Sequence, residues 1–277
     1  MKKIINWKLF FILLIACVIG SLLVLPYSLS LTSVGTVEEL PVENELPVET
    51  DIPIWLIVIS TITNSLIMFA IVIFIGLLLS KKIGLEKGGL RLPILEGILK
   101  KENKAKEFKA LLLPSICLGV LAGGLIIVVS IPFNNIIPEF QNIEVTPSPW
   151  KGFLASFYGG IAEEVLLRLF LMSFFVWLTY IIKKNKEGNP TAVGVWISII
   201  LAAVVFGIGH LPATAQIVSL NGIVIARAIV LNGICGVIFG WLYWKKGLES
   251  AMIAHFSTDI VLHVITPVIV QLFVSAA

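Results

Sequence analysis

The amino-acid sequence predicts an all-α fold, a polytopic bundle of seven or eight transmembrane helices. Three observations predict it. Of the 277 residues, 58% are apolar and 13% charged, where a soluble domain carries roughly 45–50% and about 25%, and the mean hydropathy is +1.02. The apolar residues gather in runs long enough to cross a bilayer as helices, which takes about 20 residues. The runs lack the apolar and polar alternation of a membrane barrel strand, so the backbone groups are satisfied inside each helix. A formal net charge of +3 and three cysteines exclude a nucleic-acid binder built on a basic surface and a disulfide scaffold.

The first run, 9–25, follows Lys2, Lys3 and Lys8. Its start has the form of a secretion signal, and residues 14–17 (Leu-Ile-Ala-Cys) fit a lipoprotein cleavage site. Because the run stays apolar from Cys17 to Leu25, it reads as a retained anchor. The connection 26–53 holds six acidic residues (Glu38, Glu39, Glu43, Glu45, Glu49, Asp51) and no Lys or Arg. It contains a tandem hexapeptide, Glu-Leu-Pro-Val-Glu-Asn at 39–44 and Glu-Leu-Pro-Val-Glu-Thr at 45–50, whose prolines favour an extended spacer. The second run, 54–80, ends at Lys81, and the stretch 81–109 has nine basic and four acidic residues. Residues 92–113 mix Leu and Ile with Lys and read as an amphipathic segment along the headgroups, before the chain enters the membrane at Pro114. The third run, 111–131, stops at Pro132; the fourth, 153–182, stops at Lys183, Lys184 and Lys186. The fifth, 192–211, lies between Pro190 and Pro212, the sixth, 217–244, ends at Lys245 and Lys246, and the seventh, 248–273, follows Gly247.

The basic connections belong on the cytoplasmic side by the positive-inside rule. Seven spans then place the N-terminus in the cytoplasm and the C-terminus outside, in a multi-pass protein of the cell membrane. The chain divides into N-terminal transmembrane helices over 1–150, with the acidic outer loop and the basic cytoplasmic segment, and a core over 151–277. Cys17, Cys117 and Cys235 lie in apolar runs without metal-ligand spacing and read as buried thiols.

An ionisable group at mid-bilayer costs about 2.5–3.5 kcal/mol on insertion scales, so each one in a span is a functional candidate. The fourth run carries Glu163, Glu164 and Arg168, the fifth ends Phe206-x-x-x-His210, and the seventh carries His255, Asp259 and His263; the chain has three histidines in all. Glu164 and Arg168 share a helix face and can pair, while Glu163 is rotated about 100° away. One carboxylate can serve the structure while the other faces a cavity. His255, Asp259 and His263 line another face, which allows Asp259 to accept from either imidazole. Arg227 either snorkels or pairs with a carboxylate, and Asn221 and Asn232 read as interhelical hydrogen-bond formers.

The sequence contains no His-Glu-x-x-His, no Gly-x-Ser-x-Gly and no cysteine paired with a histidine. Carboxylates and imidazoles activate water as general bases or hold a divalent metal that does so, and hydrolysis is the reaction class they suit. A transporter using the same buried groups as a proton relay, or a non-catalytic scaffold, is the competing reading. Against the transporter, no internal repeat relates the halves, and the polar residues gather after residue 158.

Glu163-Glu164-x-x-x-Arg168, Phe206-x-x-x-His210 and His255-x-x-x-Asp259 on successive helices, with Gly-Leu-Glu-Ser-Ala-Met-Ile-Ala-His at 247–255, resemble the motifs of the CPBP (ABI) intramembrane proteases. That group includes the type II CAAX prenyl endopeptidases and bacteriocin-processing relatives. The resemblance runs from Trp150 to the C-terminus. It implies an intramembrane endopeptidase, of glutamate or metallo type, in which Glu163 assisted by His210 activates the attacking water. His255 with Asp259 would stabilise the oxyanion, and Glu164 with Arg168 would hold the site. His263 is placed in a structural, supporting role. The CAAX endopeptidases usually have Asn where this chain has Asp259; the Asp form is familiar among prokaryotic relatives, which weakens the implication of prenylated substrates specifically. The expected partners are membrane lipid and a peptide or protein substrate, lipidated or not, with no nucleic acid. No cofactor is expected; zinc is the runner-up, with Glu163, His210, His255 and Asp259 as its ligands.

Counted from the cytoplasmic ends, His255 lies about eight residues deep and Glu163 and His210 about 20. One site therefore requires tilted or overlong helices, or an additional short helix between Pro212 and Asn232.

Overall fold

A computed structural model describes residues 5–32, 52–83, 90–137 and 147–276. The tandem hexapeptide and the acidic residues of the first outer connection lie outside them, as do Lys2 and Lys3. Among the described residues seven helices are long and apolar enough to cross a membrane: Trp7–Leu31, Ile54–Lys82, Ala105–Ile136, Pro149–Ile182, Ala192–Ala215, Gly222–Lys246 and Leu248–Phe273.

The span ends follow local chemistry. Asn6 accepts from Leu9 N at the start of the first span, and Thr191 Oγ1 accepts from Gly194 N at the start of the fifth. Asn221 Oδ1 accepts from Ile223 N and Val224 N, which starts the sixth span at Gly222 rather than at 217. Asn221 is thus a helix cap, and Asn232 donates to Ala228 O in its own helix at 2.9 Å; neither bridges helices as expected. Arg227 Nε donates to Asn134 Oδ1 of the third span at 3.3 Å. The third span begins at Ala105, with Pro114 inside the helix, so part of the expected headgroup segment is already transmembrane helix. What remains of that segment is the short helix Pro93–Leu99. The expected extra helix after Pro212 is the single turn Leu211–Ala215, which prolongs the fifth span and adds no eighth.

Fully buried Cys17, Phe69, Ile73, Leu169, Met172, Ile199, Phe239 and Tyr243 make the core. Isoleucines and leucines such as Ile67, Ile71, Leu121, Ile200 and Leu272 cover the outside, as suits helices whose solvent is lipid. Cys235 is buried too, but Cys117 is exposed on the third span, contrary to the expected burial. Buried hydroxyls tie the seventh span to the third: Ser115 Oγ meets Ser250 Oγ at 2.6 Å, and Thr258 Oγ1 donates to Gly119 O at 2.8 Å.

The depth conflict resolves at the turn between the sixth and seventh spans. Gly247 adopts φ +104, a backbone open to glycine, and the chain reverses within one residue. Leu90 N donates to Tyr243 O and Leu248 N to Arg91 O, while Glu249 Oε1 accepts from Ile94 N and Leu95 N. The basic segment thus covers this turn and holds it inside the protein. Tyr243 OH meets Ser173 Oγ at 3.0 Å, so the turn lies level with Ser173, and the fourth span continues past it to Ile182. Measured from Ser173, Glu163 is about 15 Å up its helix, and His255 climbs to meet it from Gly247. The overlong fourth helix therefore accounts for the difference in depth.

Candidate active site

The fourth span widens into π-helical turns over Tyr158–Glu163 and Val165–Met172, and the seventh does so over Ile260–Ile265, directly after Asp259. Such turns leave carbonyls outside the regular pattern and re-aim side chains. Ser173 Oγ donates to Arg168 O and Thr266 Oγ1 to Val261 O, each five residues back.

The expected pair of Glu164 and Arg168 is formed and fully buried, with Nε 3.3 Å from Oε2. The Arg168 nitrogens and Glu164 Oε2 make no hydrogen bonds among the described residues. Charge and aromatic faces hold the guanidinium, which stands 5.4 Å from the Phe206 ring and 5.7 Å from Phe239. Glu164 Oε1 remains available and takes His255 Nδ1 at 2.9 Å. Phe239 stacks on the same imidazole at 4.7 Å, and Phe206 meets it edge-on at 5.7 Å. The ring is thereby fixed, and its Nε2 lies 3.7 Å from both Glu163 Oε2 and Asp259 Oδ1.

Side-chain exposure separates the two glutamates: Glu163 is 21% exposed and Glu164 is sealed at 0%. Gly159 faces the same groups. A methyl there would collide with Asp259 Oδ2 and lie 3.1 Å from His255 Nε2, so the missing side chain is what lets the fourth span close on the seventh.

Asp259 Oδ1 stands 3.7 Å from His255 Nε2, beyond the hydrogen bond that the four-residue spacing suggested. His263 turns to Tyr27 of the first span, whose OH is 3.1 Å from Nδ1. His210 closes the fifth span's helix and packs edge-on against Phe206 at 4.7 Å, with Nδ1 2.9 Å from Phe206 O. A carbonyl only accepts, so Nδ1 carries a proton. Among the described residues no hydrogen bond or ion pair joins His210 to Glu163 or His255, and the Phe206 ring touches both histidines.

The structure thus brings Glu163, Glu164, Arg168, His255 and Asp259 together, with His210 one ring away and His263 outside the cluster. The link from Glu164 to His255, the roles of Phe206 and Phe239, and Gly159 and Tyr27 were missed by spacing within single helices. Among the described residues no group of three or more His, Cys, Asp or Glu is placed to hold a metal ion. Of the four expected zinc donors, Glu163, His255 and Asp259 stand together, and His210 lies beyond the Phe206 ring.

Residues 145–261 match the model of a family described as Type II CAAX prenyl endopeptidase Rce1-like. This part of the chain is similar to that family. The family's matched stretch contains every member of the cluster and His210, and ends before His263. The family supports an intramembrane endopeptidase of CAAX type, and with seven apolar helices the chain is a multi-pass membrane protein. No curated protein and no solved structure matches the chain.

Proposed function

We propose that the cluster hydrolyses a peptide bond within the membrane by general base catalysis, without a metal. The observation that carries this reading is the placement of His255 Nε2 3.7 Å from Glu163 Oε2 and 3.7 Å from Asp259 Oδ1, around the space that Gly159 leaves open. Glu163, the more open of the two glutamates, accepts a proton from water. The hydroxide adds to the scissile carbonyl, and the oxygen that gains charge is met by His255 Nε2–H. Collapse of the adduct returns the proton from Glu163 to the leaving amine. Glu164, fixed by Arg168, holds the other ring proton, so His255 presents a donor without reorganisation, which is where electrostatic catalysis gains most. Asp259 adds negative charge beside the ring. His210 assists from beyond Phe206, as it packs against the ring that meets His255 edge-on.

The substrate reaches this site sideways. A cavity of about 560 Å³ between the third, fourth and seventh spans is lined by Ile116, Phe157, Ile161, Met252 and Phe256 among others, almost wholly apolar. It suits a lipid chain on the substrate or a run of apolar side chains. Lys81, Lys82, Lys183, Lys184, Lys245 and Lys246 gather at the end closed by the 90–99 segment. This end is cytoplasmic, with the N-terminus on the same side of the cell membrane. Comparison of membrane proteomes from cells carrying wild type and Glu163→Ala tests the reading: uncleaved precursors should accumulate with the variant. Identical peptide ends in both would reject it.

A further inference from the structure

Hydrolysis inside a bilayer needs a supply of water, and a second cavity is built for one. About 620 Å³ of space lies between the first and second spans, with Tyr158 of the fourth span on its wall. Ser21, Ser28, Thr61, Asn64 and Ser65 line it together with Tyr158, and Val24, Leu25, Ile67 and Met68 complete the wall, the last two at its exposed rim. Two of these hydroxyls are satisfied by their own helix, Ser21 on Cys17 O and Ser28 on Val24 O. The hydroxyls of Thr61, Ser65 and Tyr158 and the amide of Asn64 make no hydrogen bond to any described residue and open onto this space, Asn64 at an exposed position. A hydroxyl or amide without a partner costs about 2–7 kcal/mol in an apolar medium, and a bilayer offers no solvent to satisfy it. Several such groups on one wall require water or a polar ligand in the space between them.

The position of the cavity decides between these occupants. Ile54 and Pro149 begin at the same end of the bundle; counted from them at 1.5 Å per residue, Asn64 lies about 15 Å and Tyr158 about 14 Å deep. Tyr158 immediately precedes Gly159, whose backbone lies against Asp259 and His255, and its hydroxyl is an electrostatic neighbour of Glu163. The adjacent Phe157, Gly160 and Ile161 line the apolar cavity instead. Two unlike spaces therefore meet the same helical turn: a greasy one for substrate and a hydroxylated one that ends beside the general base.

We propose that the cavity walled by Thr61, Asn64, Ser65 and Tyr158 is an aqueous vestibule that delivers the hydrolytic water to Glu163. The proposal rests on the protease reading for the destination of the water. It gives the first two spans, which lie outside the matched family segment, a direct part in turnover.

Thiol accessibility tests it in the intact protein held in lipid nanodiscs, where both faces meet the reagent. A charged methanethiosulfonate reacts with a thiolate, and a thiolate forms where water is present. Asn64→Cys should therefore be modified about tenfold or more faster than Leu66→Cys, at a similar depth on the opposite face of the same helix, above the wild-type background. Equal slow modification of the two would overturn the vestibule. Ser65→Leu fills the space with apolar volume and should lower kcat about tenfold with KM unchanged, because chemistry lacks its second reactant while substrate binding is untouched. A raised KM with normal kcat would assign the cavity to the peptide and overturn delivery of water. Fast modification of Asn64→Cys in a protein whose cleavage does not depend on Glu163 would remove the protease reading and the delivery role with it. Slow modification with cleavage still dependent on Glu163 would remove the vestibule alone.

Discussion

Gly159→Ala perturbs the account at its narrowest point. The new methyl would run into Asp259 Oδ2 and stand 3.1 Å from His255 Nε2 and 3.3 Å from Asp259 Cγ, all tighter than ordinary van der Waals contact. The Asp259 carboxylate must turn away from the methyl, while His255 stays in place, clamped by Glu164 and by the Phe239 face. The carboxylate then leaves its place beside His255 Nε2 by something on the order of 1 Å, a misplacement that costs about 10²-fold in rate, or about 2.7 kcal/mol of barrier. The assay is single-turnover cleavage, in nanodiscs, of the precursor that accumulates with Glu163→Ala. Gly124→Ala, at a glycine with open space around it, controls for the substitution itself. The fall should appear in kcat, with a monodisperse, folded protein. Wild-type turnover in Gly159→Ala would refute the claim that the space left by Gly159 keeps Asp259 in its place beside His255.

His255→Ala removes the oxyanion donor and should cost about 10²- to 10³-fold in kcat at unchanged KM. Arg168→Met takes the guanidinium from the sealed Glu164, a loss of about 3–5 kcal/mol, and should fail to yield monodisperse protein; Arg168→Met with Glu164→Leu should recover folding but not cleavage. Protein washed with chelator and shown by elemental analysis to lack stoichiometric zinc should retain full activity, and activity that falls and returns on adding zinc would refute a metal-free reaction.

The spans were legible because hydropathy over some twenty residues is a local property, and the Glu164–Arg168 pair because four-residue spacing fixes neighbours on one helix. Contacts between helices were not legible in the same way. The spacing of Asp259 suggested bonds to His255 and His263, yet His255 gives its Nδ1 to Glu164 and His263 turns to Tyr27. The choice depends on helix rotation, and the π-helical turns at Tyr158–Glu163 and Ile260–Ile265 change that rotation in a way no 3.6-residue period foretells. Depth was misjudged for a related reason. Counting from helix ends assumes that each end meets the headgroups, whereas the turn at Gly247 lies beneath the 90–99 segment. Asn221 looked like a bridge between helices because a polar residue in an apolar run invites that reading; its place at the helix start makes it a cap.

The central claim is that Glu163 is the base that activates water. Glu163→Gln keeps the size and shape of the side chain but cannot accept the proton. Measured in nanodiscs against the accumulated precursor, it should lower kcat by about 10²- to 10⁴-fold with KM and folding preserved. Turnover within a few-fold of wild type in that variant would contradict the account.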